Sequence, residues 1–423
     1  MSNNKNISKL SLLSYSVLVF PAAFAGIPIY VNIPDYYITH YGISLTTMGI
    51  LLVALRLFDA IVDFLIGYSS DRWHYLRPCL VTIASLLLVI GFFLISFPIF
   101  EPVVCFTLGV FFASMGFGAI MINLSALGGI WSQDSKEKMR ISSYREVVRM
   151  LGLICACTLP SYLIIHFDIL SAYQYITVFL AVITIIFTCV FVTWYSKNKQ
   201  SFHDQRGTVL PSFKSYLKLD WKNYRPLYET YFLTITGNAI MSVLFIFYAR
   251  DYMHAEKYMG IFMLSYFLSG LISIPILNKL SAITNKRFIW MWATLIAAIA
   301  SFLAFFLLQG DVVAYFVLCI VAGVSFGADL TIPPALLGDL IEVKKDYCYS
   351  TGLYSIIAFL YKFTLAIASV VILPILSYVN FTPGMFNDEK ELYVLVVIYA
   401  LGVFLFKLLA TCRLYVWYRR VRV

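Results

Sequence analysis

Arg56, Asp59 and Asp63 stand in the apolar run LLVALRLFDAIVDFLIGYSSDRW. At about 100° per residue the three lie within about 60° of one another on a helix. The stretch from about Thr46 to Ser69 is long enough to cross a bilayer as a helix. A charge near the membrane centre costs about 2.5–3.5 kcal/mol on insertion scales. The charged face must therefore look into protein or a watery cavity, not at lipid. Two carboxylates and one guanidinium in that setting suit one chemistry, the binding of a proton or a small cation. Carboxylates held close repel, so a proton or a cation is needed to join them. The bland alternative is a salt bridge with Arg56, which neutralises only one of them.

The elements that must hold these residues follow from composition. The chain has 423 residues, 61% hydrophobic and 13% charged, with mean hydropathy +0.84. Soluble domains carry about 25% charged residues. The pattern predicts an all-α integral membrane protein with twelve spans, near 11–33, 45–69, 79–100, 103–130, 146–166, 171–195, 225–249, 258–278, 288–308, 312–340, 350–379 and 392–417. The first span reads as a retained helix, not a cleaved signal. Six spans, a basic loop and six more suggest a duplicated unit. FGAIMINLSAL from Phe117 and FGADLTIPPAL from Phe326 repeat F-G-A and A-L at the same spacing. The organisation expected is an N-terminal six-helix bundle over 1–195, a linker over 196–224 and a C-terminal bundle over 225–423.

Charge orders these spans. Lys and Arg crowd the connections on one side, with seven cations from Lys197 to Arg225, while the other side holds Arg250, Lys257 and Lys390. That asymmetry predicts cytoplasmic N- and C-termini in a cell inner (plasma) membrane. It also accounts for the net charge of +9, so no nucleic-acid partner is implied. All seven Trp fall near the expected cytoplasmic helix ends and read as an interfacial belt. In the linker, Phe213, Leu217, Trp221 and Tyr224 recur at helical spacing with Lys214, Lys218 and Lys222 offset, which reads as a short amphipathic helix on the leaflet. The eight Cys show no metal-like spacing and read as reduced packing residues. No phosphate loop, nucleotide fingerprint or catalytic arrangement is present, so the chain reads as no enzyme and no ATPase, with no cofactor.

Arg56-Leu-Phe-Asp59-Ala-Ile-Val-Asp63, then Gly67 and Asp71-Arg72-Trp73, resembles the second-helix signature of the glycoside-pentoside-hexuronide:cation symporters. These form the melibiose permease-like branch of the major facilitator superfamily. Asn123-Leu-Ser-Ala-Leu127 with Asp134, Glu137, Lys138 and Arg145, and Asp339 with Tyr349-Ser-Thr-Gly352 and Lys362, resemble further segments of the family, so the likeness spans the chain. It implies the major facilitator fold and a carrier moving a small polar solute, such as a sugar or glycoside, with H⁺, Na⁺ or Li⁺. It implies Asp59 and Asp63 as coupling-ion carboxylates, where Na⁺ is the one metal reading, and Lys362 as the lysine facing them. Arg145 would match the arginine entering the fifth helix. The chain departs from the pattern in lacking acids at Pro21–Phe24 and Met121–Asn123 and in carrying Asp329 deep in the tenth helix.

The remaining candidates follow. Asp329, Asn123, Arg149 and Arg145 are candidates for the solute cavity. For Asp329 the structural alternative is an ion pair with Lys362 or Arg149. Asp71 and Arg72 are candidates for a conformational latch. Lys407 and Glu229 read as span-end charges without a role. The partners expected are a small solute and the bilayer, with a functional monomer. The alternatives are a lysolipid-type carrier of the same superfamily and a non-transporting membrane sensor.

Overall fold

Helix length and apolarity carry the architecture, and a computed structural model describes it for residues 7–27, 33–206 and 211–420. Among these residues ten helical runs are long and apolar enough to cross a membrane. The first is α1 (Lys9–Ser16) with α2 (Val19–Ile27), interrupted at Val17–Leu18. A short α3 (Ile33–Tyr41) follows. Next come α5 (Arg77–Ser96), α6 (Pro102–Ile130), α8 (Ile169–Arg206), α10 (Trp221–Phe247), α11 (Met259–Ile283), α12 (Lys286–Ala304), α13 (Val312–Lys344) and α14 (Ser350–Tyr378). The last run is α15 (Glu389–Val396) continued through a wide π segment, Val397–Gly402, into α16 (Val403–Arg420). Two further helices of spanning length, α4 (Leu45–Arg72, 28 residues) and α7 (Ser135–His166, 32 residues), carry more charge. With these two, the helical runs of spanning length among the described residues equal in number the twelve spans expected. A short α9 (Phe213–Leu217) sits in the linker.

Local sequence explains the ends. Ser44 caps α4 by accepting from Thr47 N, and Asp134 caps α7 by accepting from Lys136 N. Proline occupies the first turn of α5 and of α6, where its missing N–H costs nothing. The α8 helix runs to Arg206, eleven residues past the expected end, because the polar stretch after Tyr195 still favours helix.

Two compact units divide the chain, Met1–Leu219 with Leu337–Phe359, and Asp220–Leu336 with Leu360–Val423. In the first, α5 packs closely on α6, and α2 on α7. The α5–α6 contact depends on glycine. A Cβ on Gly91 would stand 2.5 Å from the backbone of both Gly109 and Ala113, and one on Gly116 would stand 2.5 Å from Ala84 O. Small residues let spanning helices approach where lipid gives no hydrophobic drive. Gly91→Ala is expected to cost about 1–3 kcal/mol by overpacking. Thermal unfolding of the purified protein, with Gly26→Ala as control, checks this, since a Cβ on Gly26 meets nothing within 4 Å.

In the second unit α16 packs on α10 and α12. Two π segments, Tyr248–Tyr252 and Val397–Gly402, bring Tyr248 and Tyr399 into a stack with ring centroids 4.1 Å apart. The Tyr315 and Tyr399 hydroxyls meet at 2.7 Å, and Tyr248 OH donates to Ala304 O at 2.7 Å. Beside them Tyr266, Tyr315, Cys319 and Tyr399 border a cavity of about 30 Å³. That is room for about two waters, not for a sugar.

The tryptophan belt needs correction. Trp131, Trp194, Trp290 and Trp417 are buried, while Trp73 and Trp292 are exposed. Ring size and an N–H that finds a partner favour burial as much as an interface. Trp194 donates to Ser11 Oγ and Trp290 to Asp329 Oδ1.

Candidate functional site

α4 places the first candidates by its periodicity. Asp59 and Asp63 are 5% and 0% exposed, one helical turn apart, on the side that also buries Ala60 and Gly67. Phe58, Ile61 and Leu65 are exposed on the other side, as residues meeting lipid would be. Arg56 is partly exposed, one turn before Asp59. Lys362 lies on α14 in the second unit, at a partly exposed position. Among the described residues no group of three or more His, Cys, Asp or Glu side chains is arranged to hold a metal ion.

One turn beyond Asp63, Gly67 allows α14 to touch α4. A Cβ there would stand 2.6 Å from Ser355 Oγ and 3.0 Å from Gly352 Cα. The next turn brings Asp71, fully enclosed. Its carboxylate accepts from Thr351 N at 2.9 Å, Gly352 N at 2.7 Å and Tyr216 OH at 2.8 Å. These amides open the 29-residue α14, where unpaired N–H groups and the helix dipole favour an anion. Arg77 Nη2 stands 3.5 Å from Asp71 Oδ1 and donates to Thr351 Oγ1. Burial, with the neighbouring Asp71 charge, holds the Tyr216 phenol far above its ordinary range, so it stays a donor.

This corrects the expected latch pair. Asp71 works with Arg77 and Tyr216. Arg72 is exposed and, among the described residues, reaches Tyr68 OH at 3.5 Å. The reason is the helix start at Arg77, which turns that cation inward. A second set of contacts joins α7 to the end of α13. Lys138 Nζ donates to Gly338 O at 2.8 Å and pairs with Glu342 at 3.3 Å, and Ser135 Oγ donates to Asp339 at 2.8 Å. The Tyr354 ring lies so close to Gly129 that no Cβ fits there.

The solute candidates of the first unit separate. Asn123 is fully buried on α6; its Nδ2 donates to Ala119 O at 2.9 Å, and its Oδ1 has no protein partner among the described residues. Arg145 and Arg149 both meet Glu146, at 2.8 Å and 3.3 Å. This Arg–Glu–Arg set on α7 is net positive and largely buried, with Arg149 the more open member. Glu146 is absent from the candidates that sequence pattern singles out, although R-E-x-x-R places two cations at adjacent and one-turn distances from it.

Asp329, in the second unit, is likewise enclosed. Lys407 Nζ contacts its Oδ2 at 2.7 Å, Asn238 Nδ2 donates to the same oxygen at 2.9 Å, and Trp290 Nε1 donates to Oδ1 at 2.9 Å. Its cation is Lys407, not Lys362 or Arg149. Lys407 is 2% exposed and lies midway along the Glu389–Arg420 span rather than near an end. A charge at that depth must be paired. Glu229 also has partners, Arg225 at 2.5 Å and Arg413 at 2.8 Å.

Long apolar helices, enclosed charges on α4 and no strand among the described residues describe an all-α integral membrane protein. The chain belongs to the MFS/sugar transport protein family, whose model matches residues 14–419. It is similar to the uncharacterized symporter YnaJ of Bacillus subtilis (strain 168), with 22% identity over 398 residues, 87% of this chain and 83% of that one. Solved structures share the fold. One is a bacterial homologue of the iron transporter ferroportin in an outward-facing state, with TM-score 0.70 and 14% identity over 97% of this chain and 98% of that one. Another is the E. coli fucose:proton symporter FucP, with TM-score 0.63 and 15% identity over 94% and 98%. The resemblance to the glycoside-pentoside-hexuronide symporters read from the signature residues agrees with the family and with the symporter relative. The protein is a transporter and not an enzyme.

Proposed function

We propose that the protein is a cation-coupled symporter of a small polar solute, with H⁺ or Na⁺ bound at Asp59 and Asp63. The observation that carries this reading is the burial of both carboxylates, one helical turn apart, within a spanning helix. Two such anions repel unless a proton or cation joins them. Binding the ion removes net buried charge and lowers the cost of closing the path with solute inside. Transport then proceeds by alternating access, one six-helix bundle moving against the other. The symporter relative supports the coupling, and the family's sugar-transport description supports a sugar or glycoside. In the first unit Asn123, Arg145 and Arg149 are the side chains offered to the solute. The Asn123 Oδ1 acceptor and the net positive α7 set suit a hydroxylated or anionic group. Asp329, already held by three donors, is assigned instead to an internal anchor. Lys362 keeps the counter-charge role that the family likeness implies. The cation distribution supports an inner-membrane protein with cytoplasmic termini.

Reconstituted vesicles test this. Under an imposed H⁺ or Na⁺ gradient, a panel of sugars, sugar acids, organic acids and lysolipids is offered. One polar solute is expected to accumulate, with ion entry that depends on it. Uptake of lysolipids alone would favour the lipid-carrier reading. Absence of any solute-dependent ion flux would end the symport reading.

A further inference from the structure

The linker helix α9 has two different sides. Tyr216 leaves it toward Asp71, stands over Gly352 where no Cβ fits, and meets Tyr349 with ring centroids 5.0 Å apart. Phe213 and Leu217, one turn apart, are 71% and 73% exposed. Lys214 and Lys218 are exposed and lie next to them around the helix. At about 100° per residue the order is Phe213, Leu217, Lys214, Lys218 across about 140°, with Tyr216 about 60° outside that sector on the Phe213 side. The α9 helix is therefore apolar and basic on its open face, while one ring beside that face is sunk in the protein. Phe213 also touches Tyr68, ring to ring at 6.2 Å. Tyr68 lies one turn before Arg72, where the spanning helix α4 ends. The open face thus stands beside the end of a helix of spanning length.

We propose that α9 is a lipid-reading latch, whose open face docks on an anionic leaflet and thereby holds Tyr216 against Asp71 at the start of α14. The partner is argued from complementarity. Two exposed apolar side chains flanked by two lysines match an acyl boundary beneath anionic headgroups. A bilayer must surround the neighbouring spans in any case. A helix of five residues is marginal by itself and gains from any contact that covers its open face. When it is covered, the Tyr216 hydroxyl closes the Asp71 carboxylate together with the Thr351 and Gly352 amides. When it is not, α9 leaves and Asp71 keeps only the amides and Arg77. Charge on the membrane thus sets how firmly α4 and α14 are joined, whatever the solute.

Hydrogen exchange of the full-length protein in vesicles reads this without transport. Segment 349–355 carries the two amides that Asp71 accepts from. Vesicles of phosphatidylcholine alone are compared with vesicles that also contain phosphatidylglycerol. Exchange of this segment is expected to slow by up to about thirtyfold in the anionic vesicles, the factor two lysines gain near such a surface. The double change Lys214→Gln with Lys218→Gln is expected to exchange alike in both. Tyr216→Phe, which keeps the ring and loses the hydroxyl, is expected to exchange fast in both. Unchanged protection of α5 and α6 shows that each variant is folded. A wild-type rate indifferent to lipid charge overturns the proposal, as does full slowing in either variant. Slowing that follows protein density instead of lipid charge would give the face to a second copy of the chain, and also overturns it.

Discussion

Asp59→Asn and Asp63→Asn are each expected to abolish gradient-driven accumulation while leaving the protein folded in the membrane. Both side chains are enclosed on α4, and amide for carboxylate keeps the shape while removing the charge. For a one-proton symporter, one pH unit supports about tenfold accumulation of a neutral solute. In either variant the inside-to-outside ratio should fall to unity. Exchange of labelled for unlabelled solute, which needs no net ion movement, separates the two coupling ions. If the ion is H⁺, Asn imitates the protonated carboxyl and exchange survives. If the ion is Na⁺, the variant loses a ligand oxygen, and the stimulation of solute binding by Na⁺ is lost as well. Accumulation at the wild-type ratio in both variants would remove this pair from the coupling site. Lys362→Ala in the same vesicles tests the counter-charge role separately.

Much of this is legible in the chain because a membrane makes charge conspicuous. Arg56, Asp59 and Asp63 interrupt an apolar run, and the cost of burying them is enough to single out α4 from sequence. The spans follow from apolar length for the same reason. The choice of partner is not legible, because it depends on tertiary contact. Lys407 lies mid-span and obeys the same cost rule, yet nothing in its own helix indicates that Asp329, Trp290 and Asn238 surround it. Arg77 precedes a proline and looks like a loop cation, but it opens α5 and turns inward. Tyr216 is hidden by a real pattern. The helical repeat of Phe213 and Leu217 selects the exposed side, and the ring that reaches Asp71 stands beside that stripe. Gly67 and Gly129 reveal their purpose only once α14 lies against them.

Lys407→Met should destabilise the protein strongly, and the pairing of Asp329 sets the size of the effect. With the lysine gone, an enclosed carboxylate keeps two neutral donors, Asn238 and Trp290, and loses its ion-pair partner. Breaking a buried pair from one side costs about 3–5 kcal/mol, because the remaining charge is left uncompensated. Asp329→Asn alone should cost a similar amount by stranding the Lys407 ammonium. The double variant, Lys407→Met with Asp329→Asn, removes both charges and retains a side chain that Asn238 and Trp290 can still contact. It should recover most of the loss, since replacing a whole buried pair is often neutral. Unfolding midpoints and the yield of monodisperse protein for the four forms make the cycle, and purely additive losses would show that the two residues do not act as a pair. Transport by the double variant then decides what the pair is for. A stable double variant that transports at the wild-type rate makes Asp329 an anchor joining α10, α12, α13 and α16. A stable double variant that binds solute weakly returns Asp329 to the solute path, because its fold would be intact and only its charge missing.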